Sequence, residues 1–128
     1  MEDIEKIKED LKQILSERRY EHSIEVMNIA EELAKIYKVD IEIAKIAGLL
    51  HDNAKEMTKE EMFKYVEENN IEITEFEKLN LPILHGKIGA DIAKKKYGVS
   101  EQIAKAIEYH TTTSPKMDTL AKIIYVSD

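Results

Sequence analysis

Apolar residues recur at three- and four-residue spacing in one segment after another, and that rhythm points to helices. Residues 3–17 carry Ile4, Ile7, Leu11, Ile14 and Leu15 as a stripe among charges. Residues 19–37 place His22, Val26, Ile29, Ala30, Leu33 and Tyr37 on one face. Past Asp40, a suitable N-cap, Ala44, Ala47, Gly48 and His51 line up, and their small side chains let a second backbone approach near the histidine. Thr58 with Glu61 spells a capping box ahead of Met62, Phe63 and Val66. Thr74 with Glu77 repeats it, but Asn80-Leu81-Pro82 soon intervenes, so 70–82 reads as a loop with one short helix. Ile71-Glu72-Ile73 is too brief for a strand. Beyond Pro82, His85, Gly89, Ile92 and Lys96 share helical spacing up to a C-cap at Gly98. Ser100 caps a helix with Ile103, Ala106, Ile107 and His110 on one face, and Thr111-Thr112-Thr113-Ser114-Pro115 breaks it. Asp118 opens a last helix that aligns Ala121, Ile124, Tyr125 and Asp128. With four glycines, two prolines and no repeat or linker in 128 residues, the expected fold is a single all-α domain of six or seven helices.

Several function classes fall away on composition. A formal charge of −7 argues against a general nucleic-acid binder, which needs a basic face to displace counterions. A small phosphorylated substrate stays open, because bound cations and a few Lys or Arg reverse the sign locally. The absence of cysteine excludes disulfides and thiolate metal sites. No apolar run reaches the ~20 residues that span a bilayer, and the charged first ten residues do not resemble a signal peptide. A cytoplasmic protein without a membrane partner is expected.

The chemistry lies in the histidines. There are only four, His22, His51, His85 and His110, and each falls on the apolar side of a helical pattern. Asp52, beside His51, sits about 100° around the helix from it, and Asp128 ends the last apolar stripe. A lone histidine on such a face is more often a hydrogen-bonded core residue than a ligand. Four of them facing inward with two carboxylates are costly to bury uncompensated. A metal compensates. Donors from several helices are what a metal centre inside a helical domain requires. Six donors suffice for two metals if one carboxylate bridges, and Asp52 is the natural bridge. Two divalent ions about 3.5–4 Å apart would hold a hydroxide between them and clamp both oxygens of an in-line phosphoryl displacement. Imidazole and carboxylate suit iron, manganese, cobalt or zinc. Lys55, three residues past Asp52, is a candidate to neutralise developing charge. Arg19, a turn before His22 and next to Arg18, is a candidate phosphate clamp. Lys87, Thr111, Thr112 and Thr113 are further candidate substrate contacts beside His85 and His110. The ferritin-like Glu-x-x-His pairs and His-Glu-x-x-His are absent, and Gly86-Lys87-Ile88-Gly89 is not a phosphate loop.

At these residues the chain resembles the HD-domain metal-dependent phosphohydrolases, whose upstream His, His-Asp pair and downstream Asp match His22, His51-Asp52 and Asp128. Arg-Arg-Tyr-Glu-His-Ser at 18–23, Ala-Gly-Leu-Leu-His-Asp-Asn-Ala-Lys at 47–55, Leu-His-Gly-Lys-Ile-Gly-Ala at 84–90 and Tyr-His-Thr-Thr-Thr at 109–113 are similar to the YqeK-like symmetrical diadenosine tetraphosphate hydrolases. The resemblance implies cleavage of diadenosine tetraphosphate to two ADP at a di-iron centre. His22, His51, Asp52 and Asp128 would hold one iron, and Asp52, His85 and His110 the other. Lys55, Arg19 and the threonines at 111–113 would meet the polyphosphate, and a homodimer is a further expectation. Proteins of this type continue past the final aspartate, so residues 1–128 are expected to be an HD domain lacking the family's C-terminal helices. A nucleotidase of the wider family, or a nucleotide-binding module without turnover, is the alternative.

Overall fold

The computed structural model describes residues 4–111 and 114–128; Thr112 and Thr113 lie outside them. Among the described residues there are eight α-helices and no strand. In chain order they are α1 (Ile4–Ile14), α2 (Glu17–Tyr37), α3 (Ile41–Leu50), α4 (Lys59–Glu68), α5 (Glu75–Lys78), α6 (Leu81–Tyr97), α7 (Glu101–Tyr109) and α8 (Thr119–Ser127). One more helix forms than the spacing suggests, if the single turn of α5 is counted. None of the described helices is long and apolar enough to cross a membrane.

The helix starts follow local chemistry. Asp40 Oδ1 accepts from the Ile43 N–H at 3.0 Å, Ser100 Oγ from Ile103 N–H at 3.2 Å, and Asp118 Oδ1 from Ala121 N–H at 2.9 Å. Thr58 and Thr74 both close full capping boxes with Glu61 and Glu77. Gly98 ends α6 at φ +62°, where glycine is at ease.

α3 is the axis of the fold. Ala44 and Ile46 through Leu50 are all buried, as expected of a helix apolar on nearly every side. It packs against α2, α7, α8 and α1. A Cβ at Gly48 would lie 3.1 Å from the Met27 Cα and 3.2 Å from the Val26 carbonyl oxygen, so glycine is what lets α2 and α3 meet backbone to backbone. Among the described residues, the buried apolar side chains form two clusters. The larger joins α1, α2, α3, the second half of α6, α7 and α8. The smaller joins Ala54, the α4 residues Met62 and Val66, and Leu84 and Ile88 from the first half of α6.

Helix faces differ from the sequence expectation in detail. On α2 the buried stripe is Ser23, Val26, Met27, Ala30 and Ala34, rotated by about one residue, which leaves Ile29 and Tyr37 exposed. Ile14 and Tyr125 are likewise exposed, and so is Lys96. Ser23, Ala30 and Ala34 on this buried stripe are small, as close packing between helices selects size over hydrophobicity.

Candidate metal centre

α3 ends at Leu50, and the His51-Asp52 pair sits beyond it in a tighter turn rather than on the helix. Asn53, Lys55 and Met57 N–H groups donate to the carbonyls of Leu50, Asp52 and Ala54, each three residues back. Three-residue spacing eclipses side chains at i and i+3. Lys55 thus follows Asp52 by one such turn.

The structure brings six sequence-predicted donors together. His22, His51, Asp52 and Asp128 form one group, and Asp52, His85 and His110 a second, with the donor atoms in each group within 4.8 Å of one another. Asp52 divides itself between them. Its Oδ2 lies 3.3 Å from His51 Nε2, and its Oδ1 lies 3.2 Å from His110 Nε2. Asp128 Oδ1 is 2.8 Å from His22 Nε2 and 3.2 Å from His51 Nε2. The four imidazoles run in a chain, with ring centroids 5.4, 5.0 and 5.3 Å apart from His22 through His51 and His110 to His85. His51, Asp52, His85 and His110 are buried. His22 is not: its side chain is 39% exposed, so it faces the mouth of the site rather than the core.

Two of the rings are set for ligation by their own helices. The Nδ1–H of His51 donates to the Gly48 carbonyl at 2.7 Å, and that of His110 to the Ile107 carbonyl at 2.5 Å. A carbonyl only accepts, so Nδ1 carries the hydrogen and the neutral ring presents a lone pair at Nε2. Both lone pairs then point at carboxylate oxygens about 3.2 Å away. Acceptor facing acceptor is repulsive unless a cation lies between, and the choice is a proton or a metal. The ionisation pattern records this. Burial acts to lower the His51 pKa, but the Asp128 and Asp52 carboxylates outweigh it and raise it to about 9. Burial would raise Asp52, yet His110 and His51 hold it far below the usual carboxylate range. Hydrogen bonding from His51, opposed by burial and aided by His22, lowers Asp128 to about 2. His85 goes the other way. Burial first, then the Lys55 ammonium, lower it to about 4, so it is a neutral ring. Its Nδ1 is buried with no partner among the described residues, while Lys55 Nζ donates to Nε2 at 3.3 Å. The donor set therefore fits divalent metal ions held by nitrogen and oxygen.

His22, Asp52, His85, His110 and Asp128 line a cavity of about 590 Å³ together with Arg18, Arg19, Lys55 and Thr111. Arg19 is steadied by a residue that sequence reasoning missed: Glu56, whose Oε1 lies 2.9 Å from the guanidinium Nε. The two are 37 positions apart, and no local signal pairs them. Ser16, which caps α2, lines the cavity as well. Lys87 does not reach the site. Its ammonium donates to the Glu72 carbonyl at 2.6 Å and to Glu77 Oε2 at 3.2 Å, because its position on α6 turns it toward the acidic segment around α5. Of the threonines, Thr111 lines the cavity, while Thr112 and Thr113 lie outside the described residues.

Residues 19–128 match the HD domain family. The chain belongs to that family. Among curated relatives of this HD domain, the symmetrical bis(5'-nucleosyl)-tetraphosphatase of Bacillus subtilis strain 168 is 40% identical over 119 residues, which is 92% of this chain and 63% of the relative. The protein of the same name from Staphylococcus aureus is 36% identical over 98% of this chain and 64% of the relative. The chain thus spans a little under two thirds of the length of these relatives. A crystal structure from Clostridium acetobutylicum, of a predicted HD superfamily hydrolase involved in NAD metabolism, superposes with a TM-score of 0.93 at 41% identity, covering 99% of this chain and 68% of that one.

Proposed function

We propose that this HD domain is a metal-dependent phosphohydrolase that cuts dinucleoside tetraphosphates symmetrically, releasing two ADP from diadenosine tetraphosphate. The observation that carries the reading is the division of Asp52 between two donor groups beside a cavity that Arg18, Arg19 and Lys55 also line. The relatives named above support the substrate class. Two divalent ions, iron by preference with manganese, cobalt or zinc as substitutes, would supply Lewis acidity, a lowered pKa for water and charge neutralisation at phosphoryl oxygens. His22, His51, Asp52 and Asp128 would hold one, and Asp52, His85 and His110 the other.

The chain's own residues do the rest. The Gly48 and Ile107 carbonyls fix the rings of His51 and His110, so no ring has to reorient when the substrate arrives. Lys55 lines the cavity with its ammonium 3.3 Å from His85 Nε2, placed to offset charge that builds on the bond being broken. Arg19 engages Glu56 through Nε, which leaves the terminal nitrogens of its guanidinium for a phosphate at the rim. Thr111 adds a hydroxyl there. An intracellular nucleotide substrate fits a cytoplasmic protein, and a homodimer belongs to the same proposal.

Incubating metal-loaded protein with diadenosine tetraphosphate and resolving the products by anion exchange should give ADP alone. AMP with ATP would mean asymmetrical cleavage. Phosphate released from mononucleotides, with the dinucleotide untouched, would indicate a nucleotidase. Tight metal-dependent ADP binding without turnover would indicate a binding module.

A further inference from the structure

We propose that Asn53 is a positioning residue that sets the spacing between the two donor groups, an inference that rests on the metal-dependent reading above. Asn53 is buried and does not line the cavity, so it is out of reach of substrate. Its Nδ2 donates to the Leu50 carbonyl at 2.9 Å and to the Gly89 carbonyl at 3.0 Å. Two carbonyl acceptors leave only one orientation for the amide. Leu50 is the last residue of α3, so the first bond closes the turn that carries His51 and Asp52. Gly89 follows His85 by four residues, about one helical turn, so the second bond ties that turn to the helix carrying His85. A Cβ at position 89 would lie 3.3 Å from Asn53 Nδ2, which makes Gly89 the other half of the joint.

Stability alone does not account for an amide here. Two buried hydrogen bonds of ordinary net worth are offset by Asn53 Oδ1, which is buried without a partner among the described residues. A leucine of nearly the same shape would fill the space with no such cost. What the amide adds is a strut of fixed length from the turn of Asp52 to the helix of His85. Metal sites tolerate displacements of only about 0.5 Å before donors fall out of range. The first group draws His22 from α2, Asp128 from the end of α8 and His51 from the turn that closes α3, and none of these depends on the bond to Gly89. The second group does, through His85.

The test is Mn²⁺ titration of the full chain, followed by calorimetry and electron paramagnetic resonance. The unaltered protein should take two ions, the second giving the exchange-coupled spectrum of a close pair. In Asn53→Leu the first ion should bind within about threefold of its original affinity, and the second about 10- to 100-fold more weakly, with an isolated-ion spectrum. Gly89→Ala should reproduce that split. Unchanged second-ion affinity and coupling in Asn53→Leu would overturn the proposal, as would equal weakening of both ions alongside a lowered Tm. Should Asn53→Leu fail to fold, Gly89→Ala decides alone, and normal coupling in it overturns the proposal. Fewer than two ions on the unaltered protein would overturn the dinuclear reading and this inference with it, before any variant is compared.

Discussion

The two donor groups share Asp52 and differ in nearly everything else. The first has two carboxylates for two imidazoles and opens to water, with the side chains of His22 and Asp128 39% and 33% exposed. Its helices α2, α3 and α8 contribute to the larger apolar cluster. The second has two imidazoles, the shared carboxylate and an ammonium 3.3 Å from His85, and all three of its donors are buried. His85 rides on the half of α6 that packs in the smaller cluster. Coulomb's law at close range makes the first group the stronger trap for any cation. The difference separates a structural-grade anchor from a weaker position next to Lys55, where the charge of an incoming phosphate would count for more.

The largest effect should follow from removing what the groups have in common. Asp52→Ala should abolish the binding of both metal ions and cut kcat by about 1,000-fold or more, on the scale of losing an essential charge-stabilising group. His85→Ala should remove only the weaker binding step. Calorimetric titration of both variants checks this, and loss of the tight step in His85→Ala would break the distinction between the groups.

A second, smaller effect opposes the groups in sign. In metal-stripped protein His51 is raised from 6.5 to about 9, so its contribution is complete below pH 6.5 and is lost as pH rises toward 9. Its size is about 3 kcal/mol. His85, lowered to about 4, binds its proton more readily unfolded than folded, so stability rises with pH between 4 and 6.5. Denaturant midpoints of the stripped protein should therefore peak near pH 6.5. His51→Gln should flatten the alkaline side and His85→Gln the acid side. Metal-loaded protein should lack the alkaline decline, since the His51 lone pair is then committed.

The ease with which these groups could be found in the sequence has a physical basis. Imidazole is scarce in this chain, and four histidines on apolar stripes have few explanations, so the donors stand out. Caps such as Asp40, Thr58 and Ser100 act within three residues and are legible for that reason. The rotation of α2 is not, because it depends on how closely Gly48 lets Met27 approach. Nor are the pairings of Arg19 with Glu56 and of Asn53 with Gly89, which join positions 37 and 36 residues apart. Such contacts exist only once the helices have been assembled.

A milder effect is expected at the rim, on the side of the open group. Glu56→Gln keeps a hydrogen-bonding partner for Arg19 but removes the ion pair, whose two side chains are about two-fifths exposed. Arg19→Ala should raise KM about tenfold with kcat little changed, as loss of uniform binding does. Glu56→Gln should raise KM only about two- to threefold, since an exposed pair is worth little by itself. Steady-state kinetics on dinucleoside tetraphosphate decide the order, and equal effects would mean that Glu56 does more than hold the guanidinium.

The smallest effect should come from Lys87, which lies two residues beyond His85 but faces away from it. Its ammonium bridges the Glu72 carbonyl and Glu77, and Glu77 is held below its usual range by burial-opposed hydrogen bonds from Thr74 and Lys87. Lys87→Met keeps the aliphatic stem and deletes the charge. It should leave kcat/KM within about twofold and cost about 0.5–1 kcal/mol, the value of a partly exposed ion pair. The loss should appear as faster amide exchange confined to the segment around α5. If Lys87→Met instead raised KM as Arg19→Ala does, the segment around α5 would have to release the ammonium toward the substrate. The buried group would then have a mobile cation of its own, and the contrast with the open group would narrow.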